Sequence, residues 1–292
     1  MVKLSKEKII WYSSSIIAAF FITLGIVGYR MGSIIPSLKW LDMIVIGIAA
    51  FLIGPGIYDF INQRRIKRIE ERFPDFLRDV AEAGRFGMTL AEAIVVASSG
   101  RYGALTDEIK RMASKIEWGV PVKDALLSFN RRINTPLINR MVAIIIKANE
   151  AGGNVADVLS MVAHAARETQ LMEKERKMEM FTYAFVLLTS FFVFVATIII
   201  LNRSFLPEMA KAGRAVRESL QHMTVPTNIP VNIAYENVPI IRLLFVIATI
   251  FHGVGDGIMI GLLSDGRMKS GMVWAFLLLV SGYLILRIMG AA

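Results

Sequence analysis

The sequence predicts an all-α fold: a polytopic membrane protein with a cytoplasmic six-helix bundle inserted between its second and third spans. Two uncharged apolar runs, residues 9–29 and 181–201, are each long enough to cross a hydrocarbon core of about 30 Å as a helix. Between them, apolar residues recur at helical spacing, and no stretch alternates with a period of two for more than a few residues. The chain is also 55% hydrophobic, which is more than is usual for a soluble domain.

Three further apolar stretches bring the predicted spans to five: residues 43–58, 243–263 and 272–286. Two of them are short and the other carries an acid, Asp256, so their fit to the bilayer depends on tilt and on side chains that reach the interface. The predicted domains are an N-terminal membrane hairpin at 1–62, a helical domain at 63–178, and a C-terminal membrane region at 179–292 with an outer loop at 202–238.

Charge placement sets the predicted orientation. Lys and Arg near the span ends are more numerous on the side that holds the N-terminus and residues 63–178, and cytoplasmic loops carry such an excess, so both are expected in the cytoplasm. The first span is too long for a signal peptide and lacks a small-residue cleavage site, so we expect it to be retained as an anchor. The basic run at 64–72 is interpreted as part of this anchoring, with a lipid or partner patch as the alternative.

Composition excludes or disfavours several classes of function. The chain has no cysteine and three isolated histidines, so no thiolate metal site can form, and no metal or cofactor is expected. No phosphate-binding glycine loop or nucleophile elbow occurs in the sequence. Acids offset the bases of the polar region, and aromatic residues are not interleaved with those bases, so nucleic acid is not an expected partner.

One short phrase occurs three times in the polar region, starting at residues 87, 119 and 152. Each copy begins with a glycine that can take a positive φ and so end a helix. A residue suited to a helix start follows, and then an acid that can complete a capping box. The predicted turn residues are Gly87, Thr89, Glu92, Gly119, Pro121, Asp124, Gly152, Gly153, Asn154 and Asp157.

Six amphipathic helices are predicted around these turns. A helix is expected to restart at Phe73, and further apolar stripes follow. One of these stripes consists of Leu137, Met141, Ile144 and Ile145. Neither glycine nor proline occurs at 155–205, so one unbroken helix is expected to pass from the polar domain into the third span. Residues 204–223 predict a helix on the outer surface, and residues 225–233 a loop.

The fourth span carries the one motif that suggests catalysis. Gly253-Val-Gly-Asp256 resembles the G-x-G-D signature of intramembrane aspartyl proteases, prepilin peptidases included. That chemistry needs a second carboxylate, and the possible partners, Asp42 and Asp59, lie at opposite ends of the second span. Position 258 is isoleucine, where prepilin peptidases carry lysine. The protease is therefore a minor alternative.

The same residues fit a packing role better. Gly253, Gly257 and Gly261 are spaced four apart and form a small-residue face on which two membrane helices can touch. His252 and Asp256 lie one turn apart beside that face. A polar pair at this depth usually faces other helices, so we expect a buried interhelical bond, with an ion or proton path as the alternative.

Four stretches of this sequence resemble the type II secretion system F domain family: Phe73-Pro-Asp-Phe-Leu77, the turns that start at 87 and 119, and residues 150–159. The family includes the inner-membrane platform proteins of type II secretion, type IV pili, Tad pili and the archaellum. The segments at 252–255 and 262–271 are most similar to its archaeal and Tad-type branch. Many members carry two such domains, whereas this chain carries one.

The resemblance implies a non-enzymatic scaffold of the cell membrane. Its cytoplasmic bundle would contact a hexameric secretion ATPase, and its spans would handle pilin-like subunits, beside membrane lipid and a second copy or a paralogue. The candidate docking charges are Lys110, Arg111, Lys123, Arg131 and Arg132. A stator-like ion-conducting protein is the alternative, because such a protein also places a helical domain between its second and third spans. The third span, however, offers few polar residues to line a pore.

Overall fold

A computed structural model describes residues 6–31, 40–152, 155–221 and 238–289. The described residues form helices joined by turns, which confirms the predicted all-α class. In chain order the α-helices are α1 (Lys6–Met31), α2 (Trp40–Arg85), α3 (Leu90–Ala97), α4 (Thr106–Glu117), α5 (Val122–Ile133), α6 (Pro136–Glu150), α7 (Val155–Ile200), α8 (Leu206–Gln221), α9 (Val238–Asp265) and α10 (Met268–Ile288). A short 3-10 turn at Gly103–Leu105 precedes α4.

The chain divides into two compact units. The membrane unit consists of Met1–Phe60 and Glu179–Ala292, and the polar unit is Ile61–Met178. Helices α2 and α7 each contribute residues to both units. Five stretches of the described residues, in α1, α2, α7, α9 and α10, are long and apolar enough to cross a membrane, which confirms the five predicted spans.

The core of the polar unit is formed by apolar faces of α2 to α7. Most of the predicted stripes are buried, as the i, i+3, i+4 spacing requires. Ile144 is a correction, since it is 42% exposed while Ile138 and Val142 are buried in its place. The reason is local: α6 has apolar residues on more than one face, so the spacing alone does not select the arc that packs inward.

The sequence suggested that a helix restarts at Phe73, but α2 runs without a break through Phe73 and Pro74. Proline has no N–H, so the carbonyl oxygen of Glu70, four residues earlier, loses its helical donor. A side chain of α7 donates a hydrogen bond to that oxygen instead. The helix therefore tolerates an interior proline because a neighbouring helix supplies the missing donor.

The long helix predicted from the absence of glycine and proline is α7, which reaches from Val155 to Ile200. It is followed by a π-helical segment, Leu201–Phe205, and then by α8, so helical structure continues although the α-helix itself ends. Asn202 is buried in the π segment and donates a side-chain hydrogen bond to the carbonyl oxygen of Ile198 at 3.2 Å. That bond competes with the regular main-chain pattern. The predicted loop at 225–233 lies outside the described residues.

Candidate functional site

The first glycine turn joins α2 to α3 and is fixed by a capping box. Gly87 has a φ of +86°, a value that residues with side chains rarely adopt. The Thr89 hydroxyl accepts a hydrogen bond from the Glu92 N–H at 3.3 Å, and the Thr89 N–H donates to the Glu92 carboxylate at 2.9 Å. The hydrogen bond from the Thr89 N–H, together with one from the Thr89 hydroxyl, lowers the pKa of Glu92.

The second turn, between α4 and α5, is built without a capping box. Gly119 has a φ of +84° and follows α4, as expected for a helix end. Pro121 occupies the N-cap of α5 and makes no side-chain cap. As a proline it also has no N–H to donate, so the box that the sequence suggested for Asp124 does not form there.

The third turn leads into α7. Gly152 has a φ of +68°, and Asp157 lies in the first turn of α7, where an acid interacts favourably with the positive end of the helix. Gly153 and Asn154 lie outside the described residues.

A further turn, between α5 and α6, carries a cap that the repeated phrase did not reveal. Asn134 takes a left-handed conformation with a φ of 49° and ends α5. Thr135 is buried and caps α6 by accepting a hydrogen bond from the Ile138 N–H at 3.3 Å, and Pro136 occupies the first helical position. The signal was present in the sequence, because Asn-Thr-Pro combines a helix stop, an N-cap and a favoured first residue.

Three of the five candidate docking charges are held by acids of the polar unit itself. Arg111 and Arg132 both bind the Glu108 carboxylate, at 3.2 and 2.8 Å. Lys123 binds Glu150 at 2.6 Å, and this hydrogen bond raises the pKa of Lys123. A side chain that already has an acidic partner must give up that partner before it can bind another protein, so these three are weaker candidates than their positions suggested.

The remaining candidates, Lys110 and Arg131, are exposed, and neither makes an ion pair with any residue that the structure describes. The described surface of the polar unit also carries two exposed aromatic side chains that the sequence did not single out. Phe86 is 84% exposed and Trp118 is 88% exposed, and each directly precedes the positive-φ glycine that follows its helix. Exposed aromatic residues of this size are typical anchors of protein interfaces.

A surface groove of about 550 Å³ lies beside the first turns of α7. Its lining includes Arg85 of α2 and, on α7, Asp157, Ser160 and Met161. Arg85 donates a hydrogen bond to the Ser160 hydroxyl at 3.3 Å, and Met161 is 70% exposed. The groove is therefore open and of mixed character, and it brings Asp157 close to the end of α2.

In the membrane unit, the glycines of α9 allow α10 to approach closely. A Cβ atom on Gly257 would lie 2.1 Å from the Cα of Ala275, and one on Gly261 would lie 2.0 Å from the N of Gly271. No side chain fits at such distances, so the contact requires glycine at both positions. Gly253 has more room, with the nearest atom at 3.2 Å. The small-residue face thus lies in the contact between α9 and α10.

His252 and Asp256 approach each other within α9 and not across helices, which corrects the expectation of an interhelical bond. The His252 Nε2 lies 3.4 Å from the Asp256 Oδ2, because a spacing of four residues places both on one face. Among the described residues, that buried oxygen has no hydrogen-bond partner. The imidazole packs on α7, with ring centroids 6.0 Å from Phe191 and 4.5 Å from Phe194. His252 therefore contacts the third span through the rings of Phe191 and Phe194.

Two other acids of the membrane unit bind arginines at the two ends of α10, Arg287 in its last turn and Arg267 at its N-cap, and these pairs could not be predicted from sequence. The Asp42 carboxylate is buried and accepts hydrogen bonds from Tyr283 and Arg287. The Asp59 carboxylate, also buried, binds Arg267. Asp42 and Asp59, the two acids that could provide a second carboxylate for Asp256, are thus each paired with an arginine. They lie at opposite ends of the second span.

The family model for type II secretion system (T2SS), protein F, matches residues 76–202. The chain is also 27% identical over 286 residues to an uncharacterized protein of Methanocaldococcus jannaschii, with 97% of this chain and 44% of that relative covered. It therefore spans less than half the length of the relative it matches. No solved structure matches the chain.

Proposed function

Because the chain carries a type II secretion system protein F domain at residues 76–202, we propose that it is the platform protein of a pilus-like or type II secretion filament system. In this role it receives the work of a cytoplasmic hexameric ATPase and passes it to pilin-like subunits in the membrane. The match itself is the observation that carries the proposal. It includes residues of both units, from α2 through the third span in α7.

Helices α2 and α7 are the proposed route of that work, because each has residues in the polar unit and in the membrane unit. The 46 residues of α7 correspond to about 70 Å of helix. No glycine or proline interrupts them, so bending this helix at a single point is costly. A displacement of the polar unit would therefore be carried along α7 into the third span.

Thr169→Pro tests this route. Thr169 lies in the polar part of α7, and its hydroxyl donates to the Ala165 carbonyl oxygen at 2.8 Å. Proline there would clash with that carbonyl and cost about 3 kcal/mol or more of local helix stability. We expect filament assembly in the host to be lost while membrane insertion is retained. Thr169→Ala is the matched control, and normal filaments in the proline variant would contradict the proposed route.

The proposed docking surface for the ATPase uses the charges and aromatic residues that the polar unit leaves open. Lys110 and Arg131 supply cations without acidic partners among the described residues, and Phe86 and Trp118 supply exposed apolar contact. Aromatic anchors and exposed charges differ in what they contribute, since anchors determine affinity while peripheral charges mainly determine the rate of association.

Capture of the secretion ATPase by the purified full-length protein tests this surface. We expect Trp118→Ala to weaken capture by about tenfold or more, as for an interface anchor. Lys110→Glu with Arg131→Glu should slow association and make capture less dependent on salt. Arg101→Glu is the control, because Arg101 is equally exposed but was not placed on this surface. Unchanged capture by the Trp118 and charge-reversal variants would show that the ATPase binds elsewhere.

A scaffold role also fits the acids of the membrane unit better than proteolysis does. Aspartyl proteases need two carboxylates that share a proton, whereas Asp42 and Asp59 are each bound to an arginine. Asp256→Ala should therefore leave cleavage of pilin precursors unchanged in the host. Loss of cleavage in that variant would favour the protease, and ion flux that depends on Asp256 would favour the stator-like alternative.

A further inference from the structure

One face of α2 changes from apolar to basic where the helix leaves the membrane unit. Ile57, Phe60 and Ile61 are 46%, 47% and 62% exposed, and Arg65 and Arg68 after them are exposed as well. At 3.6 residues per turn these five side chains lie on one face of about 140°. Exposed apolar residues followed on the same face by arginines are what a helix presents when it crosses from hydrocarbon into headgroups.

The two arginines of this face are available to bind an external partner. Arg65 and Arg68 make no ion pair with the residues that the structure describes. Their neighbours Lys67 and Arg72 differ, because Lys67 lies 4.0 Å from Glu71 and Arg72 lies 3.4 Å from an acid on the same helix. The unneutralised charge is therefore concentrated in the first turns after Phe60.

The other helix with residues in both units, α7, carries acids as well as bases at the same distance from its span. The nine residues that follow Phe60 in α2 contain four bases and no acid, at 61–69. The nine residues that precede Phe181 in α7 contain three bases and three acids, at 172–180. The general preference for Lys and Arg beside a span is met by both helices, but only on α2 is the positive charge not offset by acids.

The depth of these arginines fits the headgroup layer. Asp59, bound to Arg267, carries the first charge after the apolar run of the second span. Arg65 follows it by six residues and Arg68 by nine, or about 9 and 14 Å along the helix. The headgroup region is about 5–8 Å thick on each side, the Debye length is about 8 Å, and an arginine side chain can reach back toward the membrane.

We propose that this face of α2 binds the phosphate groups of anionic lipids, with Arg65 and Arg68 as the principal ligands. Guanidinium groups bind phosphate through paired N–H donors. We take the bilayer and not a soluble anion as the occupant, because the exposed apolar side chains of Ile57 and Ile61 lie on the same face and a phosphate ion in solution would leave them in water. This lipid site is independent of the filament system that the protein serves.

Lipid titration of the full-length protein in neutral detergent tests the proposal. Phosphatidylglycerol is added, phosphatidylcholine serves as the uncharged reference, and bound lipid is counted by native mass spectrometry. We expect Arg65→Gln with Arg68→Gln to weaken phosphatidylglycerol binding by about 30-fold, since each charge near the surface contributes about a factor of five. Arg65→Lys with Arg68→Lys keeps both charges but loses the paired N–H donors, so its affinity for phosphatidylglycerol should lie between those of the unmodified protein and the glutamine variant. Phosphatidylcholine binding should not change.

The matched control neutralises two bases of α7 at a similar distance from its span, Lys174→Gln with Arg176→Gln. Acids surround these residues, so the control should bind phosphatidylglycerol as the unmodified protein does. An equal loss in the control and the α2 variant would show a diffuse charge effect and overturn the proposal. So would unchanged binding in the α2 variant. Displacement of phosphatidylglycerol by an equal concentration of inorganic phosphate would assign the face to a soluble anion and overturn it as well.

Discussion

The side-chain amide of Gln170 donates a hydrogen bond to the main-chain carbonyl oxygen of Glu70, at 2.6 Å. Glu70 precedes Pro74 by four residues, so this oxygen is the acceptor that the proline leaves without a helical donor. Gln170 is buried on α7 and Glu70 lies on α2, and the bond therefore joins these two helices inside the polar unit. It replaces a local hydrogen bond with one between residues that are 100 positions apart.

Gln170→Leu should destabilise the protein by about 1–3 kcal/mol, because the Glu70 carbonyl would lose its donor in a partly buried position. In a Pro74→Ala background the same change should cost much less, since the alanine would provide the helical N–H that proline lacks. Chemical unfolding of the four proteins in detergent micelles gives the coupling between the two positions. Equal costs of Gln170→Leu in both backgrounds would mean that the bond does not compensate for the proline.

Gly257→Ala should lower the thermal unfolding midpoint markedly. The added Cβ would lie 2.1 Å from the Cα of Ala275, so α9 and α10 would have to separate, and overpacking of this kind costs about 1–3 kcal/mol or more. Gly255→Ala is the matched control, because no atom lies within 4 Å of its added Cβ and the residue is exposed. Equal midpoints for the two variants would contradict the close helix contact.

Arg267→Met should destabilise the membrane unit by about 2–4 kcal/mol, because it leaves the buried Asp59 carboxylate without its cation. The value lies toward the low end for such pairs since Arg267 is 39% exposed. Lys211→Met removes an exposed pair with Glu208 at 2.7 Å and should change the unfolding midpoint little. A second change, Asp59→Leu, should restore much of the loss in the Arg267 variant, and the absence of any recovery would argue against this account.

The capping box predicts a pH dependence. The pKa of Glu92 is lowered in the folded protein, so its carboxylate stabilises the fold above the pKa of the unfolded chain, about 4.3. That contribution is lost as the pH falls through the lower, folded pKa. The difference in unfolding midpoint between the unmodified protein and Glu92→Gln should therefore be present at neutral pH and vanish in acid. A difference that is constant from pH 7 to pH 3 would exclude the linkage.

A separate variant tests the other half of the box. Thr89→Ala removes the hydroxyl that accepts from the first turn of α3 and should cost about 1 kcal/mol. Thr89→Ser keeps the acceptor and should stay close to the unmodified protein in the same unfolding experiment.

The sequence was sufficient for features that depend on local patterns. Apolar runs gave the five spans, and helical spacing gave most of the buried faces, because both are set by side chains within a few turns of one another. Thr89 and Glu92 form their box for the same reason. Pro74 was misjudged, since its local effect on a helix is unfavourable and the residue that compensates for it lies on another helix.

Partnerships between distant residues were beyond such patterns. Asp42 and Arg287 are separated by 245 positions, and nothing local to either one names the other. One docking candidate shows the same limit, because Arg132 of α5 reaches Glu108 of α4 only once the two helices have packed together, whereas Arg111 lies three residues after Glu108 on the same helix. His252 and Asp256 were correctly placed side by side on one helix face, but the packing of His252 on the rings of α7 joins residues that are distant in the sequence.

The arginine pairs at the two ends of the second span limit how that span can move. Asp42 and Asp59 are about 26 Å apart along α2, and the arginines that they bind lie at the two ends of α10. Neither helix can therefore move along the axis of the other without breaking two buried ion pairs. Under the proposed function, a movement of α2 in the membrane would therefore displace α10 as well. A single cross-link between α2 and α10 should therefore leave the proposed transmission of work unchanged.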